Sequence, residues 1–238
     1  MLIINFNFEG YAVLPNIDRS LYTAFKCDPQ KSGYRIPSLR KTAVTDLRQV
    51  VNLAHQDVCR TLDRISDDPQ QSAAFKQVAV DSIGELLAAP SSNQFEFDEW
   101  HDLCCGRCLE VTGVATVHYG QAQKLVNMAL KYLYNEYAHY RGVCNHLGYP
   151  DGNLDWFFHL PIDKQIRGHL AANYGFTHPR NVAWSKWDRG HYLAFQTELR
   201  MRLNPAYKPL EIDYLLWNAP DASISHLIGV YCTPDPTA

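Results

Sequence analysis

A lysine and an aspartate are the residues of this sequence most suited to doing chemistry together. Lys124 closes the segment 120–124, which opens a helix, and Asp163 closes the segment 161–163, which opens another. A lysine amine is a nucleophile only when burial or a neighbouring positive charge lowers its pKa enough to leave part of it uncharged. The sequence therefore offers an amine and a carboxylate that can act together if the fold brings them to one place.

The helix that begins near Gly120 has a polar side. Lys124, Asn127 and Lys131 stand at positions i, i+3 and i+7, so they are expected to line up on one face. Lys131 is close enough along this face to lower the pKa of Lys124 by charge repulsion. We expect Asn127 and Lys131 to line a pocket or a binding surface beside Lys124.

The two segments resemble the helix-hairpin-helix DNA glycosylases. In that superfamily a hairpin of small residues leads into a helix that bears a lysine, and an aspartate follows an apolar residue at the start of a later helix. The residues that carry the resemblance are Gly120, Ala122 and Lys124, followed by Pro161, Ile162 and Asp163.

The resemblance implies a lysine-dependent DNA base-excision enzyme with glycosylase and lyase activity. Lys124 would attack the sugar carbon of a flipped-out damaged nucleotide, forming a Schiff base that can lead to strand cleavage. Asp163 would stabilise charge and accept the proton. Damaged DNA is the partner that this function implies, and we expect no cofactor.

Further residues would contact the DNA if the resemblance holds. Small side chains at Gly120 and Ala122, on either side of Gln121, would let backbone amides approach a phosphate at the positive end of the helix dipole. Trp184 and Trp187 would offer stacking surfaces for the extruded base.

A non-catalytic function remains an alternative. Lys124 would then be a solvated residue and Asp163 an ordinary acid near a helix start. The chain would be a binding or regulatory helical module, monomeric or dimeric, that docks an acidic partner or a small ligand on a flat helix face. The net charge of −3 counts against DNA binding, because a DNA-binding protein with no general positive charge needs a local basic surface.

A zinc-stabilised structural protein is the third possibility. Cys105 and Cys108 have C-x-x-C spacing, and His101 precedes Cys105 by one helical turn, so the three could converge on one metal. A second C-x-x-C pair is missing. Because an unpaired cysteine is among the residue types most often buried in a core, packing explains the same residues without a metal.

Several other protein classes lack their motifs in this sequence. There is no H-E-x-x-H, no G-x-S-x-G and no glycine-rich phosphate loop, which disfavours zinc proteases, serine hydrolases, and Rossmann and P-loop enzymes. No apolar run approaches the roughly 20 residues that cross a bilayer, and the first residues do not resemble a secretory signal. We expect a cytoplasmic protein with reduced cysteines and no membrane partner.

The periodicity of apolar residues predicts a mainly α fold. Steps of three and four predict helices over 42–65, from Pro69 towards Pro90, after Asp98, and over 120–139. Later helices are expected to begin near Pro161 and to cover 187–203 and 209–217, and residues 140–159 read as an irregular excursion. Alternating residues at the start predict a short β element at the N-terminus. A hydrophobic fraction of 46% and the absence of a long linker predict one helical domain over 1–238.

Overall fold

The computed structural model describes residues 47–62, 68–111, 117–139, 154–179, 181–218 and 223–228. These residues form seven α-helices and contain no β-strand beyond an isolated antiparallel bridge between Leu203 and Ile228. The mainly α class is therefore confirmed. The predicted N-terminal strand lies outside the described residues. The helices are α1 (Leu47–Val58), α2 (Pro69–Ala88), α3 (Gln94–Glu110), α4 (Tyr119–His139), α5 (Lys164–Tyr174), α6 (Arg189–Arg202) and α7 (Pro209–Asn218).

Helix starts follow the capping residues of the sequence. Asp68 caps α2 by accepting hydrogen bonds from the amides of Gln70 and Gln71, with Pro69 at the first helical position, where a missing N–H costs nothing. Asn93 caps α3 in the same way, accepting from the amide of Glu96. This helix therefore begins at Gln94, ahead of the start after Asp98 that the apolar pattern indicated.

Helix α5 begins and ends at residues with clear local roles. Asp163 is its N-cap, and its Oδ1 accepts a hydrogen bond of 2.9 Å from the amide of Ile166. The helix ends at Gly175, whose φ of 66° is left-handed, a conformation that glycine adopts without a steric penalty. Pro161 precedes the helix instead of lying in its first turn, because Asp163 occupies the cap.

The core of the described part surrounds α4. Every residue from Tyr119 to Lys131 is buried, with α1, α3 and α6 and the short 3-10 turn Trp184–Lys186 packed around this helix. A helix that is buried on all sides cannot leave polar side chains in water. The polar residues of α4 must therefore find partners inside the protein.

No helix among the described ranges combines the length and the apolar character that a membrane span requires.

Candidate functional site

The buried polar side chains of α4 divide between two sides of the helix. Lys124 and Lys131 face carboxylates, whereas Gln123 and Asn127 face a separate network of hydrogen bonds. An unpaired buried polar group costs about 1–3 kcal/mol and an unpaired buried charge costs more.

Lys124 forms a buried ion pair with Asp163. Lys124 Nζ lies 2.8 Å from Asp163 Oδ2, and the two side chains are only 5% and 13% exposed. The other carboxylate oxygen, Oδ1, caps α5 through the amide of Ile166. Each oxygen of Asp163 therefore has its own donor, and the helix cap fixes the carboxylate in front of the amine.

Lys131 forms a second ion pair on the same side of α4. Its amine contacts Asp213 Oδ2 from α7, and both side chains are almost fully buried. Asp213 Oδ1 is buried and has no hydrogen-bond partner in the described part of the chain. Asp213 neutralises the charge by which Lys131 was expected to act on Lys124.

The expectation of a lowered pKa at Lys124 is wrong. Burial on its own would lower the pKa of the amine, but the negative charges of Asp163 and Asp213 and the hydrogen bond to Asp163 outweigh burial and raise it. Burial likewise acts to raise the pKa of Asp163, yet the Lys124 charge and the hydrogen bonds from Lys124 and Ile166 lower it. The unliganded site therefore holds an ammonium and a carboxylate.

The Lys124–Asp163 pair lies in the wall of a cavity of about 690 Å³. This volume is within the range of about 300–1,000 Å³ typical of small-molecule sites. The cavity is lined by Asp57, Arg60, Thr61, Lys124, Met128, Lys131, Tyr132, Asp163, Lys164, Gln165, Gly168, His169 and Trp184. Lys124 and Lys131 are each paired with a carboxylate, so Arg60 and Lys164 in the lining are the groups that would attract a ligand with negative charge.

Asp57 is a second carboxyl group in this cavity. Its Oδ2 accepts a hydrogen bond of 2.6 Å from the hydroxyl of Tyr132. Burial raises the pKa of Asp57, and it outweighs the lowering by the Tyr132 hydrogen bond and by the charges of Lys124 and Lys131. The cavity thus contains two carboxyl groups whose pKa values are shifted in opposite directions.

The two tryptophans expected to stack on a base have different positions. Trp184 is half-buried and lines the cavity. Trp187 is 1% exposed and packs in the core, with its ring centroid 5.4 Å from that of Phe195. The expectation for Trp187 is wrong, because the chain after Trp184 turns inward and buries the second indole.

The backbone amides at the start of α4 already donate hydrogen bonds within the protein. The Gly120 amide donates 2.9 Å to the Trp187 carbonyl oxygen, and the Gln121 and Ala122 amides donate to the His118 carbonyl oxygen. Gln121 is buried, and its side chain caps the helix by accepting from the His118 amide at 2.8 Å and donating to the Thr61 carbonyl oxygen. These groups hold the helix start against its neighbours, so the expected phosphate contact does not occur there.

Gly120 is required by packing. A Cβ at this position would overlap the carbonyl oxygen of Trp184. Only a glycine lets the backbone of the Trp184–Lys186 turn approach α4 so closely. The small residue therefore positions Trp184 at the cavity wall.

Asn127 lies on the side of α4 that faces away from the cavity. Its Nδ2 donates to Gln123 Oε1 and to the Tyr192 hydroxyl, each at 2.9 Å, and its Oδ1 is 2.9 Å from His101 Nε2. The expectation that Asn127 lines the pocket with the lysines is wrong. Positions i and i+3 differ by about 60° around a helix, which here is enough to point the side chain to the other side.

The contacts of Asn127 belong to a buried polar network. His159 Nδ1 accepts from the Tyr192 hydroxyl at 2.7 Å, and its Nε2 donates to Asp98 Oδ1 at 2.8 Å. Arg200 binds the same carboxylate through two nitrogens at 2.6 and 2.8 Å. Burial lowers the pKa of His159 to about 4, so the imidazole is neutral at neutral pH.

Two glutamines hold the extended segment 158–163 in place. Gln123 Nε2 donates to the Ile162 carbonyl oxygen at 3.1 Å, and Gln123 Oε1 accepts from the Ile162 amide at 3.4 Å. Gln196 makes the matching pair of bonds to Leu160, at 2.7 and 3.3 Å. These bonds satisfy backbone N–H and C=O groups as a neighbouring strand would. They also hold the residues before Asp163, which places its carboxylate beside Lys124.

The described part of the chain shows no metal-binding arrangement at the cysteine segment. The described ranges contain no group of three or more His, Cys, Asp or Glu side chains that could hold a metal ion. His101 is buried against Asn127 with Cys105 Sγ 3.8 Å from its Nδ1, and Cys108 interacts with Cys104 instead. The convergence expected for His101, Cys105 and Cys108 fails because the three thiols of α3 pack in the core.

Sequence reasoning missed several residues of the site, among them Asp57, Asp213, Gln123 and His159. Asp57 and Asp213 interrupt amphipathic helices, and a charge on such a helix is usually solvated. Their only sequence signal is that both lie next to apolar core positions, Val58 and Ile212.

Comparison of the chain with protein-family models, with curated proteins and with solved structures finds no match.

Proposed function

We propose that this protein is a lysine-dependent base-excision enzyme that acts on a nucleotide flipped out of DNA. The observation that carries the proposal is the 2.8 Å contact between Lys124 Nζ and Asp163 Oδ2 in the wall of a cavity of about 690 Å³. An amine beside a fixed carboxylate in a cavity is the arrangement that covalent amine catalysis requires.

Asp163 would take the proton that Lys124 must lose. The ammonium transfers a proton to Asp163 Oδ2, against the raised pKa of Lys124 and the lowered pKa of Asp163, and the freed lone pair forms a bond to C1′ of the sugar. The glycosidic bond breaks, and the base leaves with the electron pair of that bond and with one proton from an acid group of the cavity. The nitrogen then loses a proton to water, the C1′–O4′ bond opens, and the proton of Asp163 passes to O4′, leaving a protonated imine on Lys124.

Other features of the cavity suit a nucleotide. Arg60 and Lys164 are exposed at its edge, where they can contact phosphates of a DNA strand. Trp184 offers a flat apolar surface against which a base can stack. The chain as a whole has a net negative charge, but Arg60 and Lys164 provide a local basic surface at the cavity.

Borohydride trapping tests the proposal. Borohydride reduces a protonated imine to a stable amine, so the protein should form a covalent adduct with a duplex that carries an abasic site. Peptide mapping of the trapped wild-type protein should locate the adduct on Lys124. Lys124→Gln, whose amide can still donate to Asp163, should form no adduct, whereas Lys76→Gln on α2, away from the cavity, should form as much as the wild type.

The absence of any adduct, or its attachment to another lysine, would rule out the proposed chemistry. The mapping needs only the wild-type protein, so this conclusion does not depend on the folding of a variant.

A second function is favoured by the raised pKa of Lys124. A permanent ammonium, together with Arg60 and Lys164, would hold an anionic ligand without covalent chemistry, as in the binding module considered from the sequence. The flat docking face expected for that module is not found, because the lysines line a cavity. Saturable binding of abasic DNA or of a nucleoside monophosphate without adduct formation would select this alternative.

A further inference from the structure

Asp57 is not used by the chemistry described above. It projects from the last turn of α1 into the cavity that holds Lys124 and Asp163. Its Oδ2 is held by the Tyr132 hydroxyl at 2.6 Å, and Tyr132 itself lines the cavity. The carboxyl group is therefore oriented and half-buried, and it lines the same cavity as Lys124.

The two carboxyl groups of the cavity have different environments. Asp163 caps α5 and pairs with Lys124, which keeps it ionised. Asp57 has a hydroxyl as its hydrogen-bond partner, and burial favours its protonated form. Two carboxyl groups whose environments move their pKa values apart can divide the roles of acid and base between them.

We propose that Asp57 is the general acid that protonates the departing base, and that the substrates are therefore nucleotides whose base is uncharged before excision. The inference rests on the proposed function and names its substrate class. A base that already carries a positive charge leaves as a neutral molecule without protonation. An uncharged base needs a proton as the glycosidic bond breaks, and a positioned acid typically contributes about 100-fold or more to such a step.

The proton transfers balance. The Asp57 O–H bond breaks and its proton bonds to a ring nitrogen of the base, while the electron pair of the glycosidic bond also goes to the base. The Lys124 lone pair forms the new bond to C1′, after Asp163 has taken the ammonium proton. The base departs neutral, and Asp57 remains as a carboxylate that a proton from water restores.

The rate of base release should depend on pH, because Asp57 must be protonated to act as the acid. Charged and titratable groups from several helices surround Asp57. The groups that face it or share its cavity are Lys124, Lys131 and Tyr132 from α4, Asp213 from α7, Asp163, Lys164 and His169 from α5 and its cap, and Arg60 from the turn after α1. Because the acid form is the active one, base release should fall as pH rises through the pKa of Asp57. Adduct formation at an abasic site, which has no base to protonate, should lack this alkaline fall.

The first test compares two substrates with Asp57→Asn, whose amide oxygen can still accept the Tyr132 hydroxyl. Duplexes carrying 8-oxoguanine, hypoxanthine or uracil report base release, and a duplex with an abasic site reports the Lys124 adduct. We expect base release to fall about 100-fold or more and abasic trapping to fall far less. If the wild type also releases the cationic base N7-methylguanine, Asp57→Asn should slow that release far less than it slows release of the uncharged bases.

Three results would overturn the inference. They are unchanged base release by Asp57→Asn, an equal loss of base release and abasic trapping, and a wild-type protein that traps abasic DNA but releases none of the uncharged bases. Absence of the abasic adduct in the wild type would instead refute the proposed function itself, so the two failures are distinguishable.

Tyr132→Phe provides a second test if Asp57→Asn does not fold. The Tyr132 hydrogen bond lowers the pKa of Asp57, so its loss should move the alkaline limb of base release to higher pH, whereas the pH profile of abasic trapping should show no such limb to move. An alkaline limb that stays in place would show that Asp57 is not the titrating acid.

Discussion

Lys124 and Asp163 are 39 positions apart in the sequence, yet their side chains meet at 2.8 Å in the wall of one cavity. The contact joins the central helix α4 to the N-cap of α5. Because the capping bond to Ile166 fixes Asp163, the geometry of the pair depends on secondary structure on both sides.

Removing the amine of this pair should destabilise the fold. Lys124→Met leaves Asp163 charged and largely buried without its partner, and breaking a buried ion pair typically costs about 3–5 kcal/mol. The double variant Lys124→Met/Asp163→Asn keeps a capping side chain and removes the unpaired charge, so it should recover most of the loss. Urea unfolding measures both, and a double variant no more stable than the single one would contradict this account.

Gly120→Ala should disturb the cavity wall. The added Cβ would overlap the Trp184 carbonyl oxygen, and overpacking of this kind costs about 1–3 kcal/mol. Trp184 would have to move, which its fluorescence should report.

Gly106→Ala is the matched control for that substitution. Gly106 lies inside α3 with open space around its Cα, so alanine should raise the free energy of unfolding by about 0.5–1 kcal/mol. Equal effects of the two substitutions in thermal unfolding would refute the packing role of Gly120.

Tyr192→Phe should weaken the buried network. The hydroxyl connects His159 to Asn127 at 2.7 and 2.9 Å, and its loss leaves two buried polar groups with fewer partners at a cost of about 1–3 kcal/mol each. Tyr207→Phe, at a half-buried ring, should change the free energy of unfolding by less than about 0.5 kcal/mol. Similar losses for both variants in urea unfolding would argue against the network.

Stability should fall on acidification below about pH 6.5. Burial lowers the pKa of His159 from 6.5 to about 4, so between these values the unfolded chain binds a proton that the folded protein does not. The stabilisation is fully present above pH 6.5 and is lost as pH falls towards 4, with a slope of up to about 1.4 kcal/mol per pH unit for one proton.

His101 adds to this dependence, because burial lowers its pKa as well. His159→Gln should therefore reduce the slope of unfolding free energy against pH between pH 5 and 6.5 without abolishing it. A variant with the full wild-type slope would show that His159 is not held neutral.

The sequence was sufficient to predict a mainly α fold and to single out the two segments that contain Lys124 and Asp163. Helix boundaries follow local rules of capping and left-handed backbone. Two helices start after Asp68 and Asp163, and one ends at Gly175. These rules depend on near neighbours only, so they can be read from the order of residues.

The direction in which each polar side chain points, and its partner, were decided by tertiary structure. The spacing placed Asn127 beside the lysines, but packing against α3 and α6 turned it towards His101 and Tyr192. From the sequence, the charge of Lys131 was expected to lower the pKa of Lys124. In the structure, Asp213 of α7 pairs with Lys131 and neutralises that charge. Local sequence determines where a helix starts and which residues share a side, because those depend on bonds within a few positions. A pKa or a cavity depends on burial and on charges brought from distant positions, and only the packed chain provides these.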